Sequence, residues 1–297
     1  MDYPILADNI TKSFGKVMAV KNATLHSRNG VNIIIGPNGA GKSTMLRCLG
    51  GLYKPESGTV KVLGADPYEN DHIRGSVSLL SDNYALYDRL SVLSNLLFFG
   101  RLYNLDDSQI RERSTAILKR LDAYQYFNRK VEELSRGTKQ KIAICRALLS
   151  EPKALLLDEP TAFLDAISAE KVHRIMDELA LEGKTIIYAT QRLNEATRFD
   201  ARLFVIRNGR MSNTTTTKDL YEKQLVNSMV TIKLSMPIPM SVAKRVPGFR
   251  KLEGSAIKIT INDYKEISKA LSYILKNRGY VVSVDYTENL MEGMLAD

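Results

Sequence analysis

The chain has 297 residues, of which 44% are hydrophobic and 25% charged, and a formal net charge of +9. This length predicts two domains, and the composition is that of a soluble globular protein rather than a disordered or membrane-spanning one. No apolar run approaches the roughly 18 residues that a membrane-spanning helix needs, and no secretory signal is apparent, so we expect a cytoplasmic chain. The positive charge is compatible with nucleic acid, an anionic membrane or a phosphate ligand.

A glycine-rich turn lies between a predicted strand and a predicted helix near the N-terminus. Residues 31–35 form a short, mostly β-branched run, and residues 43–49 have helical composition. Between them the chain fits the pattern G-x-x-x-x-G-K-[ST], in which backbone N–H groups and a helix N-terminus surround a triphosphate. Lys42 is predicted to reach the β- and γ-phosphates, and Ser43 to ligate Mg²⁺. The predicted nucleotide-binding residues are Gly36, Pro37, Asn38, Gly39, Ala40, Gly41, Lys42, Ser43 and Thr44.

The next long segment, from about residue 88 to 133, is helical in pattern and rich in charge, with leucines spaced three or four residues apart. We interpret it as a helical insertion, which together with the following helix spans about residues 88–150. That following helix is preceded by Leu134-Ser135-Arg136-Gly137, where Ser135 is predicted to be the N-cap and to leave free N–H groups facing an anion. A start of this kind is more often ordinary capping, so the segment alone does not indicate a function.

Two further apolar runs predict strands that are buried on both faces of a parallel sheet, at residues 154–157 and 185–189. The first run ends in Asp158 and Glu159, which at the carboxyl edge of such a sheet point toward the ligand crevice. Asp158 suits a role as ligand of Mg²⁺ or its water. Glu159 suits the orientation and deprotonation of an attacking water molecule. The core of the chain is therefore predicted to be α/β.

The last part of the chain predicts a second, smaller domain. Residues 202–206 followed by Asn208-Gly209 indicate a strand that enters a type I′ turn, and the sheet is expected to close near residue 212. After a low-complexity stretch, residues 230–234 and 257–261 alternate between apolar and polar, residues 267–275 have helical spacing, and residues 280–284 form another apolar run. These patterns predict an α+β domain over residues 213–297.

The order of the segments in residues 1 to about 212 resembles the ATPase subunit of ABC transporters. The phosphate loop, the helical insertion, the segment Leu134 to Gln140, the acidic strand and the segment Thr161 to Asp165 follow one another in that order. The resemblance implies a P-loop NTPase core with an antiparallel β subdomain and a helical insertion, followed by the small α+β domain. It also implies ATP and Mg²⁺ as cofactors.

In that family two nucleotide-binding domains pack head to tail around ATP. The resemblance therefore implies a second nucleotide-binding subunit, either identical or different, whose bound γ-phosphate is contacted by residues 135–137 of this chain. It also implies that Phe14 stacks on the adenine, that Val20 packs nearby, and that Asp165 belongs to a loop that links the two sites.

The C-terminal domain, including residues 288–295, is similar to the extra domain of the branch of this family that pairs with separately encoded membrane permeases. This similarity implies an integral membrane permease as partner and a peripheral position on the inner face of the cell membrane. The domain could equally be a dimerisation or stabilising module.

Two positions depart from the family pattern. The family has a glutamine that touches Mg²⁺ and the attacking water, and this chain has Asp82 there, which could still ligate the metal. The family also has a histidine that contacts the γ-phosphate, and this chain has Gln191. Because glutamine can donate a hydrogen bond but carries neither proton nor charge, we expect ATP hydrolysis that is slow rather than absent.

Three functions remain open from the sequence. The leading one is an ATPase subunit that powers a transporter by ATP-driven dimerisation, with no nucleic acid expected as a partner. A soluble ABC-type ATPase that acts on ribosomes or nucleic acid is permitted by the basic charge, although no second cassette or long coiled coil is visible. The third is a regulatory ATP-binding partner with little catalysis of its own, which Asp82 and Gln191 make possible.

Overall fold

The computed structural model describes residues 3–217, 228–261, 264–277 and 279–286. The chain divides into two compact units, Met1–Thr215 and Thr216–Asp297, so the division lies three residues after the position that the sequence pattern indicates. Residues 288–295, for which a family similarity is expected, lie outside the described residues. Among the helices that the structure describes, none is both long enough and apolar enough to cross a membrane.

The first unit contains strands and helices that we number in chain order. The strands are β1 (Ile5–Phe14), β2 (Val17–His26), β3 (Gly30–Ile35), β4 (Ser57–Val62), β5 (Val77–Leu80), β6 (Ala154–Asp158), β7 (Thr185–Thr190), β8 (Arg202–Arg207) and β9 (Arg210–Thr216). The helices are α1 (Lys42–Leu49), α2 (Asp71–Gly75), α3 (Val92–Leu102), α4 (Asp107–Arg120), α5 (Arg136–Leu148), α6 (Ala166–Leu181) and α7 (Leu193–Ala196).

The central sheet of this unit has the order β5-β6-β7-β3-β8-β9 within the described residues. Its strands from β5 to β8 are parallel. Every residue of β6 and β7 is buried, which is why these strands are almost continuously apolar rather than alternating. The register pairs Asp158 with Ala189 and Ile35 with Thr190. The residues that follow β3, β6 and β7 therefore emerge at one edge of the sheet.

A second, antiparallel sheet is formed by β2, β1 and β4 in that order. Strands β1 and β2 form a hairpin in which Phe14 pairs with Val17 at the turn. The inward residues of this sheet, such as Ile10 and Leu25, pack with Ile34 of β3 and Leu46 of α1 in one fully buried core. The predicted antiparallel subdomain is thus confirmed, and its shared core fixes the β1–β2 turn relative to the start of α1.

The predicted helical insertion contains α3 and α4, and each of its helices begins with a side-chain cap. Ser91 caps α3, and Asp106 caps α4 in a capping box with Gln109. Ser135 caps α5, as the sequence predicts, because its hydroxyl accepts a hydrogen bond from the N–H of Thr138. These local signals explain why the helices start where they do.

The predicted type I′ turn is confirmed, since Asn208 and Gly209 both have positive φ angles of 49° and 79°. The expectation that the sheet ends near residue 212 is wrong, because β9 continues to Thr216. Threonine has a high β propensity, and β9 lies at the edge of the sheet, where polar residues are tolerated. The polar stretch is therefore largely strand rather than a linker.

The second unit is an antiparallel sheet with a helix. Its elements are β10 (Ser228–Leu234), α8 (Met240–Ala243), β11 (Phe249–Glu253), β12 (Ala256–Ile261), α9 (Tyr264–Lys276) and β13 (Val281–Tyr286), and the strand order is β11-β12-β10-β13. The alternating apolar residues of β10 and β12 are buried together with Ile267, Ala270 and Ile274 of α9. The sequence patterns do not predict β11 and α8.

Candidate functional site

The glycine-rich loop connects the end of β3 to the start of α1. A Cβ atom on Gly36 would lie 2.2 Å from the carbonyl oxygen of Ile206, and one on Gly41 would lie 2.4 Å from that of Ala19. Gly41, the N-cap of α1, also has a φ of 110°, a conformation that other residues rarely adopt. Both glycines are therefore required by backbone packing, and they leave the N–H groups at the start of α1 available to an anion.

Lys42 extends back along this loop. Its Nζ donates hydrogen bonds to the carbonyl oxygens of Gly36 at 2.8 Å and Pro37 at 3.1 Å, and it lies 3.5 Å from Oε1 of Glu159. The side chain is only 6% exposed. The ammonium group is therefore held between the loop and the end of β6, where it can bind phosphate oxygens.

Asp158 ends β6 directly beside the start of α1. The hydroxyl of Ser43 lies close enough to its carboxylate to favour the ionised form. Burial raises the pKa of the Asp158 carboxyl and the negative charge of Asp82 adds to this, whereas the Ser43 hydroxyl and the charge of Lys42 lower it. A buried carboxylate paired with a hydroxyl is a donor set that suits Mg²⁺.

Glu159 turns the chain sharply after β6. Its φ is 47°, an unusual conformation for a non-glycine residue that often marks a functional site, and its N–H donates to the carbonyl of Ala189 on β7. Burial raises the pKa of the Glu159 carboxyl, and Lys42 opposes this shift. The buried Oε1 makes no hydrogen bond within the described residues, and it faces Nζ of Lys42 at 3.5 Å.

These residues together fit a nucleoside triphosphate with Mg²⁺. The loop glycines allow close packing against neighbouring backbone, Ser43 and Asp158 offer oxygen ligands, and the Glu159 carboxylate lies beside Lys42 in the same site. The structure thus brings Gly36, Lys42, Ser43, Asp158 and Glu159 to one edge of the sheet.

Phe14 lies at the turn between β1 and β2 and is 46% exposed, so it is not a core aromatic. The ring of Tyr53 meets it edge to face at a centroid distance of 5.3 Å, and Nζ of Lys12 lies 5.7 Å above its centroid. This surface can accept a base by stacking. Tyr53 and Lys12 carry no local sequence signal for such a role, because only the fold brings them to Phe14.

Val20, which is expected to pack near the adenine, is not exposed on this surface. Val20 belongs to β2 and is fully buried in the core of the first unit. The exposed apolar side chains near Phe14 are Val17 and Met18.

The signature segment at the start of α5 packs against residues 160–165 of the same chain. Gln140 donates a hydrogen bond to the carbonyl of Pro160 at 2.8 Å, a Cβ on Gly137 would lie 2.7 Å from the carbonyl oxygen of Phe163, and the guanidinium of Arg136 lies 5.4 Å from the Phe163 ring. Ser135 and Arg136 are exposed. Within one chain, therefore, Ser135 and Arg136 face outward.

Asp165 is the N-cap of α6, and its carboxylate accepts hydrogen bonds from the N–H and the hydroxyl of Ser168. These bonds lower the pKa of the Asp165 carboxyl, with the backbone bond contributing most. The neighbouring apolar side chains Phe163 and Ile167 are 57% and 74% exposed. A polar cap flanked by exposed apolar residues is compatible with a contact surface.

Asp82 forms an ion pair with Arg47. Its carboxylate lies 3.0 Å from NH2 of Arg47 on α1, and the Arg47 guanidinium also lies 5.8 Å from the Tyr53 ring. Asp82 is close enough to Asp158 to raise the pKa of that carboxyl. Asp82 is thus near the proposed metal ligands but is also the partner of Arg47, which sequence reasoning missed.

Gln191 directly follows β7, and its backbone N–H lies close enough to Glu159 to bond that carboxylate. It is partly exposed. The structure therefore places Gln191 at the same edge of the sheet as Glu159 and Lys42. The three histidines do not take its place, since His26 pairs with Asp8, His72 is exposed on α2 and His173 is buried on α6.

The fold and this site define a P-loop nucleotide-binding protein. The ABC transporter family profile matches residues 20–162. The chain is 34% identical over 228 residues to the spermidine/putrescine import ATP-binding protein PotA of Acetivibrio thermocellus. The alignment covers 76% of this chain and 64% of PotA. The chain thus spans less than two thirds of the length of that relative. It is also 34% identical to the ABC transporter ATP-binding protein NatA of Bacillus subtilis, over 70% of this chain and 86% of NatA.

Solved structures agree with these relatives. A dimeric ATP-binding cassette in a post-hydrolysis state with bound ADP and Pi is 28% identical, with a TM-score of 0.66 over 72% of this chain and 98% of the cassette. CbiO1 of Clostridium perfringens, part of the ABC transporter complex CbiONQ, is 28% identical, with a TM-score of 0.64 over 75% of this chain and 92% of CbiO1. The chain therefore belongs to the ATP-binding proteins of the ABC transporter family, as its motif order indicates.

Proposed function

We propose that this chain is an ATP-hydrolysing subunit that powers a membrane transporter through ATP-driven dimerisation. The observation that carries the proposal is the convergence of Lys42, Asp158 and Glu159 at the carboxyl edge of the parallel sheet. A cation for the phosphates, a carboxylate for the metal and a second carboxylate with a free oxygen are the groups that phosphoryl transfer to water requires.

In the proposed reaction, the loop from Gly36 to Thr44 and Lys42 hold the β- and γ-phosphates. Ser43 and Asp158 hold Mg²⁺, which when bound neutralises charge on the phosphate oxygens. The carboxylate of Glu159 accepts a proton from the attacking water. Gln191, beside Glu159, donates a hydrogen bond to the γ-phosphate.

A second nucleotide-binding subunit would complete the site. Support comes from the outward direction of Ser135 and Arg136 and from the exposed apolar side chains of Phe163 and Ile167 beside Asp165. The matched cassette with ADP and Pi is itself dimeric. We propose that residues 135–137 of each subunit bind the γ-phosphate held by the other, so that ATP joins the two.

An integral membrane permease is the proposed partner on another surface. Tyr87 and Phe98, which contact each other edge to face at 5.1 Å, are 50% and 40% exposed, and the nearby Leu90 is 39% exposed. This apolar patch, between Asp82 and the helical insertion, suits a protein contact. Binding there would place the chain at the inner face of the cell membrane, in a transporter like the one that contains CbiO1.

Slow hydrolysis is proposed from the two replaced positions. Gln191 cannot supply the charge of the histidine found in the family, and losing one such contact lowers turnover by about 10²–10³. Changing Gln191→His should therefore raise turnover, and Gln191→Ala should lower it further. If neither change altered turnover, the assigned role of Gln191 would be wrong.

A second candidate function is a regulatory ATP-binding partner with little hydrolysis of its own. The ion pair between Asp82 and Arg47 favours it, because a carboxylate held by Arg47 is less available to Mg²⁺. In this case the purified chain would bind ATP but would hydrolyse it at a rate that Glu159→Gln leaves unchanged.

The decisive experiment measures phosphate release by the purified chain and by its Glu159→Gln variant, together with recovery of partners from detergent-solubilised membranes. The proposed function predicts Glu159-dependent hydrolysis and co-purification of a multi-span membrane protein. Recovery with ribosomes, and never with a membrane protein, would instead support a soluble ATPase.

A further inference from the structure

A buried carboxylate lies behind the nucleotide site, on the short helix α7. Glu195 is only 7% exposed on its side chain, and its carboxylate accepts four hydrogen bonds. Oε1 accepts from the hydroxyl of Thr161 at 2.7 Å and from the guanidinium of Arg192 at 3.1 Å. Oε2 accepts from the hydroxyls of Tyr188 at 3.1 Å and Thr190 at 3.0 Å. A buried charge with this many donors is stable only in one arrangement of its neighbours.

The donors come from two segments that carry catalytic groups. Thr161 lies two residues after Glu159, and Thr190 lies directly before Gln191. The hydroxyl of Thr190 also accepts a hydrogen bond from the N–H of Arg192, so it fixes the backbone on both sides of Gln191. The Glu195 carboxylate thus bridges the end of β6 and the end of β7 through side chains, in addition to the backbone bond between Glu159 and Ala189.

The network extends to α6. Apart from the Glu195–Arg192 ion pair, its side chains are uncharged. The hydroxyl of Tyr188 lies 3.1 Å from that of Thr161 and 3.3 Å from Nε2 of His173. Burial raises the pKa of Tyr188 and lowers the pKa of His173. The tyrosine hydroxyl therefore stays a hydrogen-bond donor to Glu195.

We propose that Glu195 is a positioning residue for ATP hydrolysis, which holds the segment of Glu159 and the segment of Gln191 at a fixed separation. This inference rests on the proposed function, in which Glu159 and Gln191 act on the same water and γ-phosphate. Glu195 does not itself touch the nucleotide, because its carboxylate is satisfied by Thr161, Tyr188, Thr190 and Arg192 behind the site. Small displacements of catalytic groups have large kinetic effects, with about 10²-fold for a misplacement of 1 Å.

The first test is Glu195→Gln in the full chain. The amide has nearly the same shape, but it removes the charge and offers only one accepting oxygen, so the two segments lose their common anchor. We expect turnover to fall on the order of 10- to 100-fold, with ATP affinity changed less than threefold. The matched control is Glu178→Gln, which removes a half-exposed carboxylate paired with Arg120 and should leave turnover unchanged.

A purely structural role is distinguished by a double-mutant cycle with Gln191→Ala. If Glu195 positions Gln191, the loss caused by Gln191→Ala should be much smaller in the Glu195→Gln background than in the original chain. Additive losses, or an unchanged turnover per folded molecule in Glu195→Gln, would overturn the proposal.

If Glu195→Gln does not fold, Thr190→Val tests the same link, because it removes one hydroxyl and leaves the carboxylate with three donors. The same loss of turnover at nearly unchanged ATP affinity is expected, and unchanged turnover would overturn the inference. Failure of the proposed function is recognised separately, since Glu159→Gln would then also leave hydrolysis unchanged.

Discussion

Nζ of Lys42 lies 3.5 Å from Oε1 of Glu159, an ion pair that joins the loop after β3 to the end of β6. The two strands are not neighbours, since β7 lies between them in the sheet. The oxygen that faces Lys42 makes no hydrogen bond within the described part of the chain. Glu159 and the phosphates of a nucleotide therefore compete for one ammonium group.

This competition predicts opposite effects of Glu159→Gln on binding and on hydrolysis. Binding of ATP should become roughly threefold to tenfold tighter, because a partly exposed competing charge is removed. Turnover should fall by about 10² or more, because the proposed general base is lost. A binding titration and a phosphate-release assay measure the two effects. Weaker binding would contradict the competition, and unchanged turnover would contradict the role of Glu159 as base.

The raised pKa of Asp158 predicts that the free energy of unfolding depends on pH. Burial raises the pKa of its carboxyl above the ordinary value of 3.8, so the protonated form is favoured in the folded protein. The protonated carboxyl stabilises the folded protein fully below pH 3.8, and this contribution is lost as the pH rises through the folded-state pKa. In the absence of nucleotide and metal, Asp158→Asn should therefore be more stable than the original chain at pH 7, and this advantage should shrink toward pH 4.

Denaturant unfolding between pH 4 and pH 8 measures this difference, with Asp177→Asn on α6 as a control because that carboxylate is half-exposed. Addition of ATP with Mg²⁺ should reverse the order at pH 7 if ionised Asp158 binds the metal as proposed. An advantage for Asp158→Asn that does not vary with pH would show that the ionised carboxylate is not its cause.

The sequence predicts the nucleotide loop and the acidic strand because their signals are local. A strand, a turn that requires Gly41 and a helix follow one another within 20 residues, and two acids directly follow a buried strand. The ion pair of Arg47 with Asp82 joins residues that are 35 positions apart, and the bond of Thr161 to Glu195 joins residues 34 positions apart. No local pattern reveals such pairs.

Two other differences between expectation and structure have equally physical causes. A motif resemblance places Val20 near the base, but the direction of a strand residue depends on the register, and in this register Val20 is buried in the core. Strand β11 was missed because its pairing with β12 shifts between Phe249 and Lys251. The shift places two polar residues in succession, which removes the alternation that indicates a strand.

The exposed ring of Phe14 predicts that stacking on the adenine base contributes to ATP affinity. Removal of a stacking aromatic costs about 1–3 kcal/mol, so Phe14→Ala should weaken ATP binding by roughly 5- to 150-fold. Binding of inorganic tripolyphosphate should be unaffected, because it has no base to stack. Val17→Ala is the matched control, since Val17 is 67% exposed in the same hairpin. Equal weakening of ATP and tripolyphosphate would show that Phe14 supports the phosphate loop rather than the base.

Substitution of Ser135 is predicted to have two separable effects, one on stability through helix α5 and one on ATP-driven dimerisation. Ser135→Ala removes the N-cap hydrogen bond to Thr138 and should lower stability by about 1 kcal/mol; it should also weaken ATP-driven dimerisation. Ser135→Asp keeps a capping oxygen and favours the helix dipole, but it places a negative charge against the γ-phosphate of the other subunit. The aspartate variant should therefore fold normally and fail to dimerise with ATP.

Ser91 provides the control, because it caps α3 through the same hydrogen bond to the N–H of Ser94 and lies outside the proposed dimer contact. Ser91→Ala should lower stability by a similar amount, about 1 kcal/mol, with ATP-driven dimerisation retained. Light scattering of each variant in the Glu159→Gln background, where ATP is not consumed, measures the dimer directly. Dimerisation of Ser135→Asp as strong as that of the parent would mean that α5 does not bind the γ-phosphate of a second subunit.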